Sequence, residues 1–256
     1  MRKLLSSLSF VIISLLFLFS CKKDNDAVPN MGYRYFPDNV GRYVVYDVDS
    51  TFYDDNAMNT FTHISPAVNY KFQIKEKIES IYTDNLNRPT IRLERYVKYY
   101  NDTLAYNFMP WTFRNVWTEN KTATTAEKVE ENIRYTKLAF PVKESQVWNG
   151  NAQNINAAQN YSYAYFDQPL QMGIFAFDSV LQVTQKDEST LINKHYEIEK
   201  YACNAGMIFK QSINVGFQPN ALWNDSTTNY YFSLPILQHV TSGSQCTMTV
   251  AYYGTE

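Results

Sequence analysis

The sequence predicts an all-β protein, a single antiparallel β-barrel or strongly curved β-sheet with little helix. Three observations carry that prediction. Apolar and polar residues alternate with period two over most of the chain beyond Gly41, the spacing of half-buried strands. Aromatics make up 16% of the residues, led by 21 Tyr, while Gly is limited to 8, and large rings favour the half-buried pleated surface of a strand. Two of the alternating runs are long and closely joined, and strands of that length twist and coil, as in a barrel.

Taken in order, Val44, Tyr46 and Val48 face one way in the first strand. The second places Val68, Tyr70, Phe72, Ile74 and Ile78 on one face and Asn69, Lys71, Gln73, Lys75 and Lys77 on the other. Asp84-Asn85-Leu86-Asn87-Arg88-Pro89 reads as a turn. A third strand then alternates Ile91, Leu93, Val97 and Tyr99 against Arg92, Glu94 and Lys98. Further strands are legible at 104–117, 133–142, 160–167, 179–186, 193–203, 206–215, 229–240 and 246–253. Asn149-Gly150 is a tight-turn signal. The one helix candidate is Thr124 to Asn132, where Thr124 and Glu127 are spaced as a capping box; the same residues read equally as a hairpin turn through Glu130-Glu131-Asn132. No internal repeat of fixed period is present.

The N-terminus supplies an address. Arg2 and Lys3 precede an apolar run from Leu4 to Phe19 that ends in Leu18-Phe19-Ser20-Cys21, the layout of a cleaved secretory signal. At about 16 residues the run is short of the ~20 that span a bilayer, although an uncleaved anchor helix is the alternative. Leu18 at −3, Ser20 at −1 and Cys21 at +1 match a bacterial lipoprotein signal, with Phe19 bulkier than usual at −2. Cys21 is therefore the predicted lipid-attachment residue, carrying acyl chains such as palmitate, and several chains anchor a protein stably without spanning. The predicted divisions are a signal peptide at 1–20, a tether at 21–36 that settles into the domain at Tyr35-Phe36-Pro37, and one β domain at 37–256.

Composition narrows the partners. Loss of residues 1–20 takes the formal charge from −2 to −4. No basic block appears, so nucleic acid is not an expected partner. Once Cys21 is lipidated, Cys203 and Cys246 remain as an even pair in an oxidising compartment, and a disulfide is the natural reading. Two buried free thiols are the alternative.

Three passages resemble an uncharacterised family of Bacteroidota outer-membrane lipoproteins. Tyr35-Phe36-Pro37 with Gly41-Arg42-Tyr43-Val44-Val45-Tyr46 is similar to that family's "YFP…G.YW.Y". Leu138-Ala139-Phe140-Pro141-Val142-Lys143 with Trp148-Asn149-Gly150-Asn151 is similar to "L.FPV…WNGN". Tyr201-Ala202-Cys203-Asn204-Ala205-Gly206-Met207-Ile208 is similar to "YA.GVGLI", with Asn204 and Ala205 in place of Gly and Val. The resemblance implies a β-rich envelope lipoprotein and brings no catalytic residue or ligand with it. Lys22-Lys23-Asp24-Asn25-Asp26 resembles the Lys-plus-acidic tract of surface-exported lipoproteins in the same phylum, implying surface exposure, with a periplasm-facing domain as the alternative.

Candidate sites are few. His63, His195 and His239 are scattered, so no metal or other cofactor is expected, and Asp47, Asp49, Asp54 and Asp55 read as a solvated turn. Glu197 and Glu199 share a strand face with His195 and Tyr201, a grouping a glycan-active enzyme could use; an ordinary water-facing side looks the same, and no catalytic residue is assigned. Trp111 and Trp223 sit in loop-like contexts and are the candidate ligand-contacting aromatics. Asp49-Ser50-Thr51, Asp102-Thr103-Leu104, Asp178-Ser179-Val180 and Asp225-Ser226-Thr227 resemble an O-glycosylation pattern, with Thr103 and Ser226 the expected acceptors; turn chemistry explains the same triplets. The expected function is a non-catalytic, membrane-anchored binding or interaction module contacting a glycan or an envelope partner protein. A carrier of an apolar small molecule inside the curved sheet is the alternative.

Overall fold

The computed structural model describes residues 30–54, 66–100, 106–217 and 240–256. The unit from Met31 to Glu256 is all β, as the alternation predicts. Its strands are β1 (Arg42–Tyr53), β2 (Ala67–Thr83), β3 (Pro89–Tyr99), β4 (Thr112–Lys121), β5 (Thr125–Glu130), β6 (Ile133–Ala139), β7 (Val147–Asn149), β8 (Asn160–Met172), β9 (Phe175–Ser189), β10 (Asn193–Ala202), β11 (Gly206–Gly216) and β12 (Ser242–Thr255). They form one 12-stranded sheet in the order β6-β5-β4-β3-β2-β1-β12-β11-β10-β9-β8-β7. Each neighbour is antiparallel, so the chain winds up and down and curls into a nearly closed barrel.

The seam lies between the sequence neighbours β6 and β7. Thr136 N donates to Gly150 O at 2.9 Å, Trp148 Nε1 to Thr136 O at 2.9 Å, and Asn154 Nδ2 to Arg134 O at 2.8 Å. These bonds cap backbone groups that an open edge would leave unpaired. Gly150 is required because a Cβ there would meet the Tyr161 ring at 2.3 Å. Asn149-Gly150 thus ends β7 and opens a longer loop, where the sequence suggested a tight turn.

The segment Thr124–Asn132 is strand and turn. Thr122 Oγ1 accepts from Thr124 N at 3.1 Å and Thr125 N at 2.9 Å, turning the chain into β5. Glu131 and Asn132 both take positive φ, at 47° and 67°, as a hairpin of primed-turn type demands. The strand expected at 104–117 is instead a 3-10 turn at Tyr106–Phe108 followed by β4. The strand expected at 229–240 lies almost wholly outside the described residues.

One end of the barrel is plugged by the segment entering at Met31. Val142 N donates to Met31 O at 3.2 Å, and Gly32 (φ 81°) packs where a Cβ would meet Val142 Cγ2 at 2.1 Å. After the 3-10 turn Tyr33–Tyr35, Tyr35 and Phe36 are buried against Ala126, Leu138, Phe140, Val142 and Leu181. Asn204 N donates to Arg34 O at 2.8 Å, and Lys121 Nζ to Phe36 O at 3.1 Å. The Tyr35 hydroxyl shares a 2.7 Å hydrogen bond with Ser179 Oγ. The β1–β2, β3–β4 and β11–β12 connections and the loop 150–159 all leave from the opposite end.

Candidate binding site in the barrel lumen

Charged side chains reach the lumen by two routes. The first is strand phase. Glu76 falls in step with Ile74 and Ile78, and Arg95 with Leu93 and Val97, so both share the inward face; they are 6% and 4% exposed. Each interrupts an apolar stripe, and that interruption is the sequence signal for an inward charge. The second route is the β-bulge, which re-aims one residue of a strand. In β6, Thr136 pairs with Glu127 and Leu138 with Ala126, leaving Lys137 as the extra residue. Lys137 and Leu138 are adjacent, yet both are buried.

Eight charges assemble into two quartets, each with two acidic and two basic members. In the first, Glu76 Oε1 meets Arg95 Nε at 3.0 Å, Glu76 Oε2 meets Lys128 Nζ at 2.7 Å, and Lys128 reaches Glu119 Oε1 at 3.2 Å. In the second, Lys137 Nζ lies 2.7 Å from Glu130 Oε1 and 2.9 Å from Glu199 Oε1. Lys210 Nζ lies 3.2 Å from Glu130 Oε2 and 3.3 Å from Glu199 Oε1. Glu130 and Lys137 come from β5 and β6, whereas Glu199 and Lys210 come from β10 and β11, far away in sheet order. Only contact across the inside of the curled sheet brings them together. Tyr201 donates its hydroxyl to Glu199 Oε2 at 2.6 Å. The Glu197, Glu199 and Tyr201 grouping noted in the sequence is thus partly lumenal rather than a plain water-facing side, with Glu199 1% exposed.

Charge balance sets the protonation states. Burial alone would raise the carboxyl of Glu76, but Lys128 and Arg95 more than cancel it and the net shift is downward. Glu199 follows the same logic, with Lys137 and Lys210 holding it down to about 2, and Glu130 is likewise lowered against its own burial by Lys137, Lys210 and Lys128. Burial pulls Lys128 and Lys137 down, and their glutamate partners more than restore them, so both end above the ordinary lysine value. Glu119 is the exception. Its burial outweighs its single lysine, Glu76 adds repulsion, and its carboxyl rises. The Arg95 guanidinium lies 3.4 Å from the centroid of the Trp117 ring, and Lys128 lies 5.2 Å from it, so this ring faces the first quartet.

The second quartet divides the lumen. On the plug side a chamber of about 60 Å³ is bounded by Phe36, Pro37, Val44, Leu93 and Met207 together with the charges. A cleft of about 370 Å³ also has Glu130 and Lys137 in its wall, joined by Lys210, Tyr135, Tyr161, Gln185, Glu197, Asn151, Asn156 and Gln159. The loop that rims it holds its own shape. Asn149 Oδ1 accepts from Asn151 N and Gln159 N, both at 3.0 Å, and Asn151 Nδ2 donates to Ala157 O at 2.7 Å. Gln159 Nε2 donates to Gln185 O at 2.8 Å. Seven of the twelve residues from Asn149 to Asn160 are Asn or Gln. That amide density was the legible trace of the cleft, and the turn signal Asn149-Gly150 obscured it.

The residues singled out in the sequence are scattered. Trp111 is half-buried, with Lys98 Nζ 4.4 Å from its ring centroid, so one face is already occupied by a cation. Cys21, Trp223, Thr103 and Ser226 lie outside the described residues. Ser50 is within β1, and the Ser179 hydroxyl is committed to Tyr35 and Asp167. The Cys203–Cys246 bridge is not formed and both thiols are free. Cys246 pairs with Ser212 in mid-sheet, while Cys203 lies in the turn before Gly206. Six strand residues, or about 20 Å, separate those levels, and a disulfide needs Cα atoms within about 7 Å. Asp47 and Asp49 accept hydrogen bonds from Gln73 and Asn69. Among the described residues no cluster of His, Cys, Asp or Glu is arranged to hold a metal ion.

No family model matches the chain, and no curated protein does. Among solved structures it is similar to a candidate lipoprotein from Parabacteroides distasonis, with a TM-score of 0.36 and 8% identity over 86% of this chain and 98% of that one. It is also similar to a candidate exported protein with a YmcC-like fold from Bacteroides fragilis, with a TM-score of 0.37 and 9% identity over the same shares. Identities this low transfer no residue role to this chain.

Proposed function

We propose that the protein is an outer-membrane lipoprotein, anchored through acylated Cys21 and displayed at the surface, that binds an envelope glycan at the open end of its barrel without acting on it. The observation that carries this reading is the cleft of about 370 Å³ walled by amides, tyrosines, three members of the charge-balanced second quartet, and Glu131 and Glu197. Its size is within the ~300–1,000 Å³ of small-molecule sites, and its rim is held by its own hydrogen bonds, which limits the ordering cost of binding. The signal sequence supports the anchoring, and the described chain enters the barrel at Met31, at the plugged end.

Binding is favoured over catalysis because the carboxylates of the second quartet, Glu130 and Glu199, are each locked between two lysines with depressed pKa values. A general acid needs a carboxyl tuned towards neutrality. The apolar-carrier alternative draws less support, since the more apolar chamber is only about 60 Å³ and is rimmed by Glu76, Glu119, Lys128 and Glu199.

The test is a glycan array probed with the full-length acylated protein, paired with native mass spectrometry of protein taken gently from its membrane. Selective retention of saccharides is the expected result. Stoichiometric capture of another envelope protein with no saccharide retained would replace the glycan by a protein partner. A co-purifying apolar molecule would restore the carrier.

A further inference from the structure

We propose, resting on the glycan reading above, that the cleft takes a single uncharged sugar unit and that Gln185 donates a hydrogen bond to one of its hydroxyls. Gln185 lines the cleft, is 4% exposed, and has an Nε2 with no hydrogen-bond partner. Buried donors in native proteins are almost always paired, and an orphan calls for a partner that is absent. The backbone places this amide deliberately. Gln185 is in step with Leu181 and Val183, both fully buried, so alternation along β9 turns it to the inward face, beside a bulge at which Glu197 pairs with Lys186 and Ile198 with Thr184.

The lack of charge follows from the floor. Glu130, Lys137 and Lys210 are already balanced together with Glu199 in the second quartet. The remaining charged lining residues, Glu131 and Glu197, are both acidic, so an anionic sugar meets repulsion while a neutral hydroxyl finds an acceptor in Glu197. A donor amide and an acceptor carboxylate suit a hydroxyl, which both accepts and donates. About 370 Å³ is near the lower end of small-molecule sites, a space for one ring. The ligand can be a free saccharide or the terminal unit of a longer envelope glycan.

The experiment is saturation-transfer NMR on the full-length protein in detergent. The probes are neutral methyl glycosides (glucose, galactose, mannose, fucose and N-acetylglucosamine), methyl glucuronide, and an oligosaccharide ending in whichever glycoside binds. At least one neutral glycoside should bind, methyl glucuronide at least tenfold more weakly. Gln185→Leu should weaken binding at least tenfold without lowering the thermal midpoint of the ligand-free protein, because it removes an unpaired buried amide. Glu197→Gln, on a half-exposed side chain, should weaken binding severalfold and serves if Gln185→Leu fails to fold. The oligosaccharide binding as well as its terminal unit would identify a glycan end as the source; only the monosaccharide binding would identify a free sugar. Saccharide binding that survives both substitutions, or that requires the glucuronide charge, overturns the cleft assignment and leaves the glycan reading standing. No saccharide binding of any kind overturns both.

Discussion

The two halves of the lumen are built from one sheet but closed by different physics. The plugged half is sealed by Tyr35, Phe36, Leu138, Phe140 and Leu181, none more than 6% exposed, within one apolar cluster. The open half is lined by amides, by members of the charge-balanced second quartet, and by Glu131 and Glu197. A barrel of about eight strands is just filled by its own side chains, and wider ones leave space. Twelve strands therefore need an insert at one end and long polar side chains at the other. The plug excludes water and fixes the chain entry, while the polar half keeps a hydrogen-bonding surface for a ligand.

Two adjacent residues put this contrast to its sharpest test. Lys137→Met should destabilise the fold by about 3–5 kcal/mol, because the buried Glu130 and Glu199 would keep only Lys210 of their two shared ammonium groups and be left one positive charge short. Its neighbour Leu138→Ala should cost about 3 kcal/mol through lost transfer energy and a cavity beneath the plug. Urea denaturation measures both. A cost for Lys137→Met within about 1 kcal/mol of wild type would mean that the polar half is wet enough to solvate the two carboxylates, and the contrast between the halves would weaken.

Acid should act through the two buried charge quartets. The carboxyls of Glu76, Glu130 and Glu199 are lowered in the fold, so their stabilisation is fully present above the unfolded glutamate value of about 4.3 and drains away as pH falls through the folded values. For Glu199 that window extends down to about 2. Glu119 runs the other way. Its carboxyl is raised, so the native state binds its proton more tightly and stability declines as pH rises from the unfolded value through the folded one. Glu119→Gln should remove that decline and raise the denaturation midpoint at neutral pH, whereas Glu76→Gln should lower it. Midpoints that move together from pH 4 to 7 would show that the first quartet titrates as one unit. Smallest of all, Arg92→Ala removes surface pairs with Glu79 and Glu94 and should change stability by no more than about 1 kcal/mol.

Much of the sheet was legible because alternation survives in single strands: β1, β2, β3, β9, β10, β11 and β12 all follow it. β5 was the least legible element. Thr124 and Glu127 mimic a capping box, and six residues are too few for period two to outweigh it. The real turn signal was Glu131-Asn132, whose positive φ values suit Asn. The candidate site was mostly illegible. Glu76, Arg95 and Gln185 were visible only as interruptions in apolar stripes, and Lys137 owes its position to a bulge, which shifts phase by one residue and has no reliable signature in a single sequence.

The sequence by itself determined that the chain is strand-forming and where most strands lie, because these depend on local pattern alone. Only the tertiary structure decided which strand face is the inside, that Cys203 and Cys246 are apart, and that Glu130 meets Lys210 across eighty positions of chain. Alternation divides a strand into two faces but does not say which one the closed sheet will enclose. That is fixed when β6 and β7 meet at the seam and the charges of opposite walls come within reach of one another.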